Sequence, residues 1–146
     1  MKNILFLGDS YTIGEGLPLH ENFPSQLVQL LRKKGKDFSA PEIIAQTGFT
    51  TDELIALLYR QCLQQQYHYI TLLIGVNNAY RGHTTTSFES EFEYLVKFAL
   101  SRCIHKNKGV FILSIPDYSY TPFVKEEDKK LVSGRIESFN AVCKKI

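Results

Sequence analysis

Short apolar runs alternate along the chain with longer stretches in which apolar residues recur at helical spacing. The short runs are continuous, which is typical of strands buried on both faces of a sheet. We predict four such strands: Ile4–Leu7, Glu42–Ala45, Tyr69–Ile74 and Val110–Ile115. The longer stretches predict amphipathic helices. These run over Pro24–Lys34, from Thr51 or Asp52 to Cys62, from Ser87 to about Asn107, and from Glu126 to the end.

Strands that alternate with helices in this way predict an α/β fold. The connections imply a parallel sheet with helices on both faces, a flavodoxin-like three-layer α/β/α sandwich. No internal repeat, low-complexity tract or linker interrupts the pattern. We therefore predict that residues 1–146 form a single domain.

Polar residues cluster directly after each predicted strand. Gly8-Asp9-Ser10 follows the first strand, Gly48 the second, Asn77-Asn78 the third and Asp117 the fourth. The carboxyl ends of parallel strands share one rim of the sheet, and ligands of open α/β folds bind at that rim. These residues are therefore candidates for one functional site.

Ser10 is the candidate nucleophile of this group. It stands where a strand turns toward a helix, and Gly8 allows that turn to be tight. A serine in this place is exposed at the rim of the sheet, as a nucleophile must be. Each residue also has a simpler interpretation alone, because Asp9 and Ser10 are common capping residues and Gly48 and Asn77 are common turn residues.

Taken together, three segments resemble the sequence blocks of the SGNH hydrolase superfamily, also called GDSL esterases and lipases. They are Gly8-Asp9-Ser10-Tyr11, Gly48 within Gln46–Thr51, and Gly75-Val76-Asn77-Asn78. The third segment is similar to the branch whose block reads Gly-Val-Asn-Asn, and Leu113–Asp117 also looks like that branch. The resemblance covers nearly the whole chain in the same order of elements.

The resemblance implies a serine ester hydrolase with Ser10 as its nucleophile. The Ser10 N–H, the Gly48 N–H and the Asn77 side-chain amide would form the oxyanion hole. These donors suit the task, because glycine lets the backbone approach the substrate oxygen and an amide donates without losing its proton. The implied partner is a small-molecule ester, which leaves short esters, lysophospholipids, acylated sugars and thioesters open, and no cofactor or metal is implied.

One block of the superfamily does not occur in the sequence. Its catalytic histidine belongs to an Asp-x-x-His block after a fifth strand, and these 146 residues contain no Asp-x-x-His. We therefore expect a chain that is C-terminally incomplete, lacks its last strand and helix, and is weakly active or inactive. Among the histidines present, His83 is the best placed substitute base and His20 the next, whereas His68 and His105 lie away from the predicted rim.

The absent fifth strand also affects the sheet. The edge of Val110–Ile115 would have backbone groups without partners, which favours pairing with another chain. We expect the protein to self-associate through this edge.

Composition and charge argue against several other classes. The formal net charge is +2 and the basic residues are scattered, so no basic face for a nucleic acid is predicted. Cys62, Cys103 and Cys143 are widely spaced and indicate free thiols in a reducing compartment. The apolar run that follows Met1-Lys2-Asn3 is too short for a signal peptide or a membrane span, so we expect a cytoplasmic protein.

Two functions without catalysis remain as alternatives. A flavodoxin-like module would hold a phosphate or nucleotide in the loops after the strands, although Gly8–Tyr11 lacks the glycines and the lysine of a P-loop. A catalytically inactive scaffold would use the same rim for protein contacts.

Overall fold

Four parallel strands form the centre of the structure, a computed structural model that describes residues 1–146. The strands are β1 (Ile4–Gly8), β2 (Glu42–Ala45), β3 (Tyr69–Leu73) and β4 (Val110–Ile112). They lie in the order β2-β1-β3-β4, and every neighbouring pair is parallel. The predicted α/β class and flavodoxin-like parallel sheet are confirmed.

Six α-helices connect and cover the strands: α1 (Ser10–Ile13), α2 (Phe23–Lys33), α3 (Thr51–Leu58), α4 (Val76–Tyr80), α5 (Thr85–Arg102) and α6 (Lys129–Lys145). Single turns of 3-10 helix occupy Leu19–Glu21, Lys106–Lys108, Tyr118–Tyr120 and Glu126–Asp128. None of the helices is both long and apolar enough to cross a membrane.

Several predicted boundaries were wrong by a few residues. Helix α3 is capped by Thr50, whose backbone N–H and hydroxyl both donate to the Glu53 carboxylate, and it ends at Leu58. Cys62 therefore lies beyond the helix and is exposed. Helix α5 begins at Thr85 and ends at Arg102, earlier at both ends than predicted.

Strand β4 ends three residues before the predicted Ile115. The backbone N–H of Ile115 donates to Asn140 Oδ1 at 2.7 Å, and its carbonyl accepts from Asn140 Nδ2 at 2.9 Å. A side chain of α6 thus satisfies the backbone that would otherwise continue the strand. Helix α6 itself begins at Lys129, because the preceding residues from Glu126 form a separate 3-10 turn.

The two faces of the sheet have separate cores. Leu5 and Leu7 of β1 join the larger core with residues of α3, α5 and α6, whereas Ile4 and Phe6 pack against α2. This alternation is the period of two expected of a strand. Helices on both faces make the predicted three layers.

The pairing of β1 brings three strand ends to one level. Gly8, the last residue of β1, is opposite Ala45 of β2 on one side and Leu73 of β3 on the other. The loops that carry the candidate residues therefore leave three adjacent strands side by side.

We predict that Gly8→Ala lowers the free energy of unfolding. A Cβ at residue 8 would lie 2.1 Å from Thr12 Oγ1 and 2.5 Å from the Leu73 carbonyl oxygen. Overpacking of this kind costs about 1–3 kcal/mol. The matched control is Gly134→Ala in α6, where a Cβ meets nothing within 4 Å and helix propensity adds about 0.5–1 kcal/mol. Urea unfolding that gives both variants the same stability would contradict the packing described for Gly8.

Candidate active site

Ser10 is the first residue of α1 and follows β1 almost directly. Asp9 caps this helix, and its Oδ1 accepts the Tyr11 N–H at 3.0 Å. The Ser10 side chain is half-buried and takes part in no side-chain hydrogen bond within the chain. Because Ser10 starts a helix, its own N–H has no acceptor inside that helix.

Asp9 is a buried carboxyl group beside the candidate nucleophile. Only 1% of the residue is exposed, and its Oδ2 has no hydrogen-bond partner. Burial raises the pKa of Asp9 from 3.8 to about 6, against the opposite effect of the Tyr11 N–H. This residue therefore takes up or releases a proton close to neutral pH, next to Ser10.

Gly48 presents a free backbone donor in the loop after β2. Its φ of +81° is the left-handed conformation that glycine adopts without strain. The Gly48 N–H donates to no acceptor within the chain. A free N–H in a half-buried turn is available to a ligand oxygen.

Asn77, the second residue of α4, contacts the same loop. Its Nδ2 donates one hydrogen to the Phe49 carbonyl at 2.9 Å. An amide nitrogen carries two hydrogens, so the second one is left without an acceptor in the chain. The bond to Phe49 holds the amide in a defined orientation next to Gly48.

Asn78 joins α3 to α4 through a buried pair of hydrogen bonds. Its Oδ1 accepts the Thr51 N–H at 3.1 Å, and its Nδ2 donates to Thr51 Oγ1 at 2.7 Å. Both residues are fully buried. Thr51 Oγ1 in turn donates to the Glu91 carboxylate of α5.

Arg81 fixes the carbonyl of Gly48 from outside. Its Nη2 donates to the Gly48 carbonyl at 2.7 Å, and its Nη1 pairs with Glu53 Oε1 at 3.0 Å. The pKa of Glu53 is held below its usual value, first by the Thr50 N–H and then by Arg81. Sequence reasoning assigned roles to neither Asn78 nor Arg81, and their proximity to Asn77 was the only signal available.

Asp117, which follows β4, has a structural role. Its Oδ1 accepts the Ser119 N–H and its Oδ2 accepts the Ser133 hydroxyl of α6. The Ser133 hydroxyl also lowers the pKa of Asp117. Both carboxylate oxygens are thus committed to a turn and to α6, and Asp117 makes no hydrogen bond to the other candidates.

His83 lies against Asn78 and makes no hydrogen bond to Ser10. Its Nδ1 is 3.2 Å from Asn78 Nδ2. Since Asn78 Oδ1 accepts the Thr51 N–H, the amine of Asn78 must face His83, and Nδ1 must be the acceptor. A neutral ring with a lone pair at Nδ1 carries its hydrogen on Nε2. Protonation of Nδ1 would break the contact with Asn78.

His83 also belongs to a group with two carboxylates. Asp52, His83 and Glu91 bring one potential ligand atom each to within 4.8 Å of one another. The only lone pair of the neutral ring, however, is the one that accepts from Asn78. The group therefore receives no assignment as a metal site.

Comparisons with known proteins support one family. The sequence profile of the "GDSL-like Lipase/Acylhydrolase family" matches residues 6–146. No curated protein sequence matches the chain. Several solved structures are similar in fold at low sequence identity.

Three of these structures have TM-scores above 0.7. The lipase/acylhydrolase from Enterococcus faecalis is 20% identical, with a TM-score of 0.74 over 99% of this chain and 70% of its own. A lipolytic protein of the G-D-S-L family from Veillonella parvula DSM 2008 is 15% identical, with a TM-score of 0.74 over 99% and 72%. Axe2, an acetylxylan esterase from Geobacillus stearothermophilus, is 18% identical, with a TM-score of 0.71 over 99% and 71%.

We predict that Asp9→Asn removes a pH dependence of stability. A pKa raised on folding means that the folded protein holds the proton more tightly than the unfolded chain. The contribution of Asp9 is therefore fully present below pH 3.8 and is lost as the pH rises through about 6. The loss corresponds to about 3 kcal/mol.

Asparagine keeps the cap without the charge, so Asp9→Asn should be more stable than the parent at pH 8 and nearly equal to it at pH 3.5. Urea unfolding across this pH range measures the effect, with Asp128→Asn at the exposed start of α6 as the control. Parallel stability curves for Asp9→Asn and the parent would refute the assignment.

Proposed function

The chain belongs to the GDSL-like lipase and acylhydrolase family, and from this membership we propose that it is an ester hydrolase whose nucleophile is Ser10. The Oγ of Ser10 would attack the acyl carbon and pass its proton to a base. A half-buried hydroxyl without an internal hydrogen bond supports this role. The attack would form an acyl-enzyme, which water then hydrolyses.

The observation that carries the proposal is the set of free donors beside Ser10. The Gly48 N–H and the second hydrogen of Asn77 Nδ2 have no acceptor in the chain. Both belong to loops adjacent to the one that carries Ser10. With the Ser10 N–H they would stabilise the oxyanion of the tetrahedral intermediate, and each such donor contributes about 3–4 kcal/mol.

Asn78 and Arg81 would hold these donors in place. Between them they bind Thr51 and the Gly48 carbonyl, while Asn77 binds the Phe49 carbonyl. Every one of these bonds joins the loop after β2 to the segment after β3. Donors fixed before the reaction need no reorganisation when the charge develops.

The base is the missing part of the proposed site. We propose that none of the four histidines takes the Ser10 proton efficiently, and that the chain alone is a weak esterase or none. The Nδ1 of His83 already accepts from Asn78, and His20 pairs with Glu21 in an exposed turn. The Nδ1 of His68 contacts the side chain of Asn3, which precedes β1 and so lies at the opposite rim.

Location and association are part of the same proposal. All three cysteines are free thiols, which supports a reducing compartment such as the cytoplasm. A binding module or an inactive scaffold would need neither a nucleophile nor free donors aimed at one point, so the enzyme is the better account.

The first test is hydrolysis of p-nitrophenyl acetate in imidazole buffer, since imidazole supplies a diffusible base. We expect a rate above the buffer background that Ser10→Ala abolishes without changing the melting temperature. Asn77→Ala should lower the Ser10-dependent rate about 100- to 1000-fold. Asn107→Ala, remote from the rim, should leave it unchanged. A rate in Ser10→Ala equal to that of the parent would exclude serine catalysis.

The second test concerns the edge of the sheet. The outer side of β4 pairs with no strand, and Ile112 on that strand is exposed. We expect dimers by light scattering, because an unpaired edge is a template for another strand. Ile112→Lys should shift the protein to monomer, whereas Leu131→Lys on the exposed face of α6 should not. A monomeric parent at high concentration would contradict the expectation.

A further inference from the structure

The sheet is covered unequally on its two faces. Helices α3, α5 and α6 cover one face, but only α2 packs on the other, over β1. Beside α2 an open groove of about 830 Å³ runs across the sheet as far as β4. Parallel sheets are normally buried on both faces, so this groove has the character of a binding surface.

The walls of the groove are apolar side chains. Leu27, Leu30 and Leu31 of α2 form one wall, and Phe111 and Leu113 form the opposite one. Leu30 is 55% exposed and Phe111 is 51% exposed. A contiguous apolar surface of this kind is uncommon on a protein unless something binds to it.

Positive charge is confined to one end of the groove. Lys2 precedes β1 and Lys36 follows α2, so both lie at the amino end of the strands, and both line the groove. Neither lysine has a salt-bridge partner, and Asp37 is paired with the amino group of Met1. An apolar trough with cations at one end is complementary to an anion that carries a single hydrocarbon tail.

The floor of the groove adds one unsatisfied polar group. Thr71 of β3 lines the groove and is buried, yet its hydroxyl has no hydrogen-bond partner. Tyr69, two residues earlier on the same face of the strand, lies beneath the Lys2 ammonium, 5.9 Å from ring centre to Nζ. A ligand oxygen drawn to Lys2 would therefore lie next to the free hydroxyl of Thr71.

We propose that this groove binds a fatty-acid anion, with its carboxylate at Lys2 and Lys36 and its chain between α2 and β4. The length of the groove supports an extended chain, since the eleven residues of α2 span about 16 Å at 1.5 Å per residue. The groove lies on a face of the sheet and Ser10 at its rim. The proposal is therefore independent of the catalytic role of Ser10.

The test compares two single-chain ligands of equal length and opposite charge. Dodecanoate and dodecyltrimethylammonium are each titrated into the intact protein below their micelle concentrations, with binding followed by calorimetry. We expect one site that binds dodecanoate about ten-fold more tightly. The double variant Lys2→Glu/Lys36→Glu should reverse the preference, whereas Lys129→Glu/Lys130→Glu on α6 should keep it.

A second pair of variants tests the apolar wall. Leu30→Asp should abolish binding of both ligands, and Leu131→Asp, an equally exposed leucine on α6, should not. Equal affinity for the two ligands, or full binding by Leu30→Asp, would overturn the proposal. So would a parent protein that binds neither ligand and is a dimer that Leu30→Asp converts to monomer, because the groove would then be covered by a second copy of the chain.

Discussion

In-register pairing of β1 with β2 on one side and with β3 on the other is the constraint on which the candidate site depends. Gly8 lies opposite both Ala45 and Leu73. A slip of one residue would exchange the faces of the strand and would place Leu5 and Leu7 outside the larger core. Burial of these leucines therefore sets the register, and the register in turn sets which loops leave the sheet side by side.

The loops then need a second level of support, because a sheet positions only their first residues. Side chains from the segment after β3 provide it by binding backbone atoms of the segment after β2. Asn78 does so from a buried position, where an amide with both ends satisfied is stable and either end left unpaired would cost about 1–3 kcal/mol. Arg81 does so from the surface, where its pairing with Glu53 adds little stability of its own.

The strands and the class of fold were predictable because a doubly buried strand needs a continuous apolar run, and only four such runs exist. Helices α1 and α4 were not, since one turn is too short to show periodicity. The end of β4 depends on Asn140, a contact across 25 residues that no local pattern reveals. For the site, short motifs indicated Ser10, Gly48 and Asn77, while the bonds of Arg81 and the orientation of His83 arise only from tertiary contacts.

The central claim is that Ser10 is a nucleophile facing preformed oxyanion donors and lacking an efficient base. Reaction with a fluorophosphonate tests it most directly, with the modified residue identified by mass spectrometry of peptides. The account predicts one adduct, on Ser10, that forms slowly in plain buffer and faster as imidazole is added. An adduct on another residue, or rapid labelling of Ser10 that imidazole does not accelerate, would contradict it.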